Sequence, residues 1–136
     1  MKKSYIGIDI GTTATKAVCF DSGGKVLRQL TKNYPMYHPE PNWSVQKPGE
    51  ILSAVLDCIA EITSGIQPEF ISFSSAMQSI MAIDATGNPL TDAVLWADNR
   101  ACALAETLKN SATGRSFYQK TGIPIHPFSP MTKMDW

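Results

Sequence analysis

An α/β fold, with a mixed sheet that opens as a three-stranded antiparallel meander and helices packed on it, is predicted by three observations. Three strand-like runs joined by short turns fill the chain up to Thr31, an amphipathic helix follows, and another strand-like run comes after that helix. The composition agrees: 136 residues, 43% of them hydrophobic and 18% charged, are an ordinary globular balance able to bury a core.

Tyr5 to Asp9 and Thr15 to Phe20 have strand composition, and Asp21-Ser22-Gly23-Gly24 is a strong hairpin signal. Lys25 to Thr31 then alternates apolar and polar residues, as a half-buried strand does. From Asn33 to Lys47, Pro35, Pro39 and Pro41 together with Tyr34, Tyr37 and Trp43 predict a long ordered loop. Pro48 suits a first helical turn and Glu50 suits the positive helix start; Ile51, Leu52, Val55, Leu56 and Ile59 then recur on one face. Phe70 to Ser74 returns to strand composition. Ile80 to Asp84 reads as a short strand ended by the turn Ala85-Thr86-Gly87-Asn88-Pro89, and Ala93 to Trp96 as a further buried strand. After Arg100 a helix is expected to Lys109, then a shorter one over Ser116 to Lys120 closed by Gly122. Pro124, Pro127 and Pro130 force an extended passage, and Pro130 to Trp136 reads as a helix just beginning. A chain that stops there is expected to be the first part of a longer protein.

Lys plus Arg and Asp plus Glu number 12 each, for a formal charge of zero. That leaves no electrostatic footprint for a nucleic-acid backbone or an anionic membrane, and a small metabolite fits better. The longest apolar runs are interrupted by Ser, Asp and Glu and fall short of a membrane span, and the N-terminus lacks the apolar core of a signal peptide. A soluble, cytoplasmic protein is the expectation. Cys19, Cys58 and Cys102 have no Cys or His partner at metal-ligand spacing, so they are expected to be reduced and mostly buried.

The first turn carries chemistry. In "IGIDIGTTATK", Asp9 ends a buried strand, where a rigidly placed carboxylate can hold Mg²⁺ directly or through water. Gly11 allows close backbone approach, and Thr12 and Thr13 add hydroxyls and consecutive N–H groups suited to phosphate. Lys16 supplies a cation if it leaves the second strand on the same side. The same residue types also make ordinary turns, and what favours a phosphate site is the succession of strand, hairpin, strand, helix and strand around it.

That succession, with "IGIDIGTTATKAVCFDSGGKVL", resembles the first hairpin of the actin-like ATPase superfamily and its ribonuclease H-like fold. Four further stretches, "NWSVQKPGEI", "SAMQSIMAID", "AVLWADNR" and "KTGIPIHPFSPMTKMDW", are similar to the FGGY carbohydrate kinase family, and within it to the gluconate kinases. The resemblance implies that residues 1–136 form the N-terminal part of the first (FGGY N) domain, with the rest of that domain and the second domain outside the chain. It implies an ATP-dependent phosphotransferase acting on a sugar-acid hydroxyl, D-gluconate to 6-phosphogluconate, with xylulose kinase or another FGGY sugar or polyol kinase as the alternative. ATP and Mg²⁺ are the implied cofactors and a small sugar or sugar acid the implied partner; a homodimer of the longer protein is compatible with it.

Carried over residue by residue, the resemblance places Asp9 at the metal and Gly11, Thr12, Thr13 and Lys16 at the phosphates. It places Met77, Gln78, Asp98, Arg100, His126 and Phe128 around the substrate. Xylulose kinases look like Met-His-Gly and glycerol kinases like Gln-Arg-Glu where this chain has Met77-Gln78-Ser79, and a neutral amide there avoids repelling an acid sugar. Gln78 also reads as an ordinary loop residue, and Arg100 also reads as half of a structural salt bridge. Val45 departs from the acidic residue many relatives have there, so the resemblance carries over no role for Trp43 beyond lining its loop. The catalytic base, an Asp in this family, is expected beyond residue 136, so the chain alone is expected to be inactive. Two other classes share the opening: Fe–S ATPase activators, which look like "GIDIGSTTTK" there but need cluster-ligating cysteines, and nucleotide-binding modules without chemistry.

Overall fold

The computed structural model describes residues 3–136, which divide into two compact units: the residues up to Met36 with Lys47–Ala76, and Tyr37–Gln46 with Met77–Trp136.

The first unit is built on a four-stranded sheet. Strands β1 (Ser4–Ile10), β2 (Ala14–Asp21) and β3 (Val26–Asn33) form the antiparallel meander, and β5 (Phe70–Ser75) adds parallel to β1, giving the order β3-β2-β1-β5. The β2–β3 turn is the Asp21–Gly24 hairpin: Asp21 Oδ1 accepts from the N–H groups of Gly23 at 2.9 Å and Lys25 at 3.0 Å, and Gly24 takes φ 80°, which costs a glycine little.

Helix α1 (Pro48–Ile62) covers one face of this sheet. Ile6, Ile8, Ala17 and Cys19 pack with Cys58 and Ile62 in the core. The buried stripe of the helix is Ala54, Val55, Cys58 and Ile62, whereas Leu52 and Leu56 are exposed. The expected face, centred on the leucines, is therefore rotated: Ala54 and Cys58 are small enough to let the helix lie close to the strands, and the bulkier leucines turn outward. The helix has no basic residue in its last turn, and β3 supplies one instead. Arg28 Nη1 donates to the carbonyls of Glu61 (2.9 Å), Ser64 (3.1 Å) and Ile62 (3.3 Å), satisfying orphan groups at the helix end.

The second unit holds the short antiparallel pair β4 (Val45–Gln46) and β6 (Ala93–Val94) and helices α2 (Cys102–Lys109), α3 (Ala112–Thr121) and α4 (Pro130–Met134). The expected strand over Ile80 to Asp84 reduces to isolated bridges, Ile80 to Val94 and Ile83 to Pro89. The turn that follows is held by Asp84, whose carboxylate accepts from Asn88 and Thr86; those bonds, Asn88 first, hold it well below the usual carboxylate range. Helix α3 begins earlier than expected because Ser111 caps it, accepting from Gly114 N at 3.0 Å, and it ends at Gly122 in the left-handed region as anticipated. Pro130 opens α4. No helix among the described residues is long and apolar enough to cross a membrane.

Candidate functional site

The phosphate-type turn lies in the first unit, between β1 and β2. Gly11 N donates to Ala14 O at 3.0 Å and closes the turn. Asp9 and Lys16 are direct partners across the β1–β2 ladder, so both leave on the same face of the sheet, opposite the buried Ile8 and Ala17, and both are exposed. The condition on Lys16 is thus met. A Cβ on Gly11 would stand 3.2 Å from Ala14 O and 3.8 Å from Asp9 Oδ2, so a larger residue would crowd both the turn and the carboxylate.

Tyr34, just past the end of β3, fixes this turn from behind. Its hydroxyl donates to Gly11 O at 2.6 Å, its backbone N–H donates to Thr13 O at 3.2 Å, and Thr15 Oγ1 lies 3.4 Å from the hydroxyl. Burial, aided by the negative charge of Asp9, pushes the phenol up from the ordinary tyrosine range, so it stays a donor. In a trans peptide the N–H points opposite to the C=O. Anchoring the carbonyls of Gly11 and Thr13 therefore turns the amides of Thr12 and Ala14 away from Tyr34. Neither composition nor spacing singled out Tyr34; its position at the end of β3, level with the turn, is its only signal.

This donor set suits a metal that arrives with phosphates. Among the described residues no group of three or more His, Cys, Asp or Glu side chains could hold a bare ion. A single exposed carboxylate at a strand end beside N–H and hydroxyl groups instead fits Mg²⁺, which keeps most of its shell as water and phosphate oxygen.

The other expected residues all belong to the second unit. Asp98 is fully buried and both its oxygens are engaged: Oδ2 accepts from Ser44 N at 2.7 Å and Arg100 Nη2 at 2.8 Å, and Oδ1 from Arg100 N at 3.0 Å and Nε at 2.8 Å. Burial alone would raise its pKa, but the bonds from Arg100 and Ser44 prevail and hold it below the usual carboxylate range. Both Asp98 oxygens thus face Ser44 and Arg100 inside the protein. Arg100 forms the bidentate structural salt bridge and lies over the Trp43 ring, with Cζ 3.7 Å from its centroid, while Trp43 and Trp136 meet edge to face at 5.5 Å. Trp43 thus does more than line its loop. These aromatics, Arg100, Asp92 and Lys133 border a cavity of about 570 Å³.

Met77 is 76% exposed and Gln78 is half-buried, with φ 66°, a left-handed conformation that costs a non-glycine residue about 1–2 kcal/mol. His126 stacks on Phe128 at 4.3 Å, and its Nδ1 accepts from Phe128 N at 3.2 Å, which fixes the proline-framed loop. Two residues went unselected in the sequence. Trp96, exposed two residues after β6, lies within the "AVLWADNR" stretch. Lys133 is buried, and its ammonium donates to three backbone carbonyls; burial pushes it below the usual lysine range, against the attraction of Asp98.

The FGGY family of carbohydrate kinases, N-terminal domain, matches residues 4–136. A gluconokinase of Bacillus subtilis (strain 168) is 45% identical over 140 residues, covering 100% of this chain and 27% of that protein. Two solved structures from Lactobacillus acidophilus superpose with a TM-score of 0.91 over 98% of this chain and 28% of theirs: a gluconate kinase at 35% identity and a ligand-bound xylulose kinase at 36%. The chain therefore spans about a quarter of the length of the curated relatives it matches.

Proposed function

The chain belongs to the FGGY family of carbohydrate kinases, and from that premise we propose that the protein carrying it transfers a phosphoryl group from ATP to a hydroxyl of a sugar acid, converting D-gluconate to 6-phosphogluconate. The observation that carries this reading is the turn that sets Asp9 and Lys16 on one sheet face, in a chain 45% identical to a gluconokinase. Catalysis of phosphoryl transfer is mainly positioning and charge neutralisation. Asp9 would hold Mg²⁺, and the amides and hydroxyls of Thr12 and Thr13, with Gly11 giving clearance and Lys16 adding charge, would hold the terminal phosphates. The ion, when bound, supplies neutralisation of phosphate charge. Gln78, Met77, His126 and Phe128 would border the acceptor, with Arg100, braced by Asp98, offering its planar cation toward a carboxylate. The residue that takes the proton from the acceptor hydroxyl is expected outside these 136 residues.

A second reading, phosphorylation of a pentulose, is favoured by the 36% identity to a xylulose kinase; an uncharged acceptor would not need Arg100. ADP release by the protein that carries this chain, measured with D-gluconate, D-xylulose, glycerol and D-ribulose, separates the two. Turnover is expected with gluconate and is expected to vanish in Asp9→Ala. Turnover confined to non-acid acceptors would overturn the gluconate assignment and leave the kinase standing, whereas ATP hydrolysis that no acceptor stimulates would overturn both. The isolated chain is expected to phosphorylate nothing.

A further inference from the structure

The residues proposed to surround the acceptor sit on three separate segments of the second unit: the Met77-Gln78 loop, the stretch from β6 to Arg100, and the loop of His126 and Phe128. A single ammonium touches all three. Lys133 Nζ donates to Gln78 O at 3.2 Å, Leu95 O at 2.6 Å and Phe128 O at 2.8 Å. We propose that Lys133 is the positioning residue of the acceptor pocket, its buried ammonium gathering the backbones of Gln78, Leu95 and Phe128; this rests on the kinase reading given above.

Three features make the arrangement specific. An ammonium has three N–H donors, and here each meets one backbone carbonyl, so the group is saturated without any side-chain acceptor. Lys133 is only 8% exposed, which means the three bonds form away from competing water. Two of the carbonyls belong to residues proposed at the acceptor, Gln78 and Phe128, and the third, that of Leu95, lies on the stretch between β6 and Arg100. Gln78 is also one of two non-glycine residues among those described with a positive φ, the other being Asn42. Backbone held in such a conformation persists where its surroundings over-determine it, and the capture of the Gln78 carbonyl by Lys133 is one such constraint. Arginine cannot substitute freely, because its donors lie in one plane whereas the carbonyls converge from three segments.

The test uses the full-length kinase and whichever of D-gluconate, D-xylulose, glycerol and D-ribulose the wild type phosphorylates best, so that an error in the acceptor's identity does not affect it. Lys133→Met is expected to raise KM for that acceptor at least tenfold while KM for ATP stays within twofold. Lys133→Arg is expected to fall between, since a planar fork reaches at most two of the carbonyls. A melting scan accompanies each variant, and if Lys133→Met shows no cooperative transition the split is read from Lys133→Arg alone. Equal rises in both KM values, or an acceptor KM within twofold of wild type in folded variants, would overturn the positioning role while leaving the kinase reading intact. A wild type that phosphorylates none of the acceptors would overturn both.

Discussion

Asp98→Ala is expected to destabilise the chain by about 3–5 kcal/mol, the usual cost of removing one partner of a buried ion pair. The Asp98 side chain is fully buried and that of Arg100 is 9% exposed, so the guanidinium left behind has little access to water. Four hydrogen bonds disappear with the carboxylate, two of them from the backbone N–H groups of Ser44 and Arg100. Stacking of Arg100 on Trp43 does not involve the carboxylate, so where it persists it cancels from the difference between variant and wild type. Asp98→Asn keeps an acceptor but removes the charge, and about 2 kcal/mol is expected. Urea titration followed by tryptophan fluorescence measures both, because Trp43 and Trp136 flank Arg100. The pH dependence has a fixed sign. A carboxylate whose folded pKa lies below its unfolded value stabilises fully above the unfolded value, near 3.9, and loses that contribution as pH falls through the depressed folded value. Wild type should therefore lose stability on acidification below about pH 4 more steeply than Asp98→Asn. A loss under about 1 kcal/mol in Asp98→Ala, or equal acid sensitivity of wild type and Asp98→Asn, would refute the reasoning.

Tyr34→Phe removes the 2.6 Å bond to the Gly11 carbonyl and is expected to lower stability by about 1 kcal/mol in the same titration; with a Mg²⁺–pyrophosphate probe, any affinity of the turn should fall, while unchanged affinity would mean Tyr34 does not orient it. Gly114→Ala would drive a Cβ into the Leu108 carbonyl oxygen, so a loss of about 3 kcal/mol is expected. By contrast Gly49→Ala, in the first turn of α1 with open space around it, should gain up to about 1 kcal/mol; equal effects at the two glycines would show that packing does not decide them. Of the three cysteines only Cys102 is exposed, so a thiol reagent should consume one equivalent rapidly in the native chain and the remainder after denaturation.

The opening meander, α1 and β5 were legible because each rests on local signals: alternation, the Asp21–Gly24 turn, and a proline-led helix start. The second unit was less so. Ile80 to Asp84 has strand composition, yet its pairing is reduced to single bridges because Asp84 pulls the chain into a tight turn. The cap at Ser111 starts α3 before the run from Ser116 that its composition suggests. Cys19 and Cys58 are buried as expected, whereas Cys102 is exposed as the first residue of α2. At the site, residues that would touch a ligand directly sit in recognisable strings, whereas Tyr34 and Lys133 act on backbone carbonyls. A carbonyl has no letter in the sequence, so partners of that kind become visible only when the chain is folded.

The Lys133 contacts also bear on ionic conditions. Carbonyl oxygens converging on a cation are how proteins often hold K⁺ or Na⁺, and such sites empty when the ion is diluted or exchanged. Here the cation is tethered by its own four-carbon stem, so its local concentration never changes. Exposed pairs such as Lys32–Glu61, with side chains 39% and 53% accessible, are weakened by added salt; the knot at Lys133, shielded from the medium, should keep its shape from dilute buffer to concentrated salt.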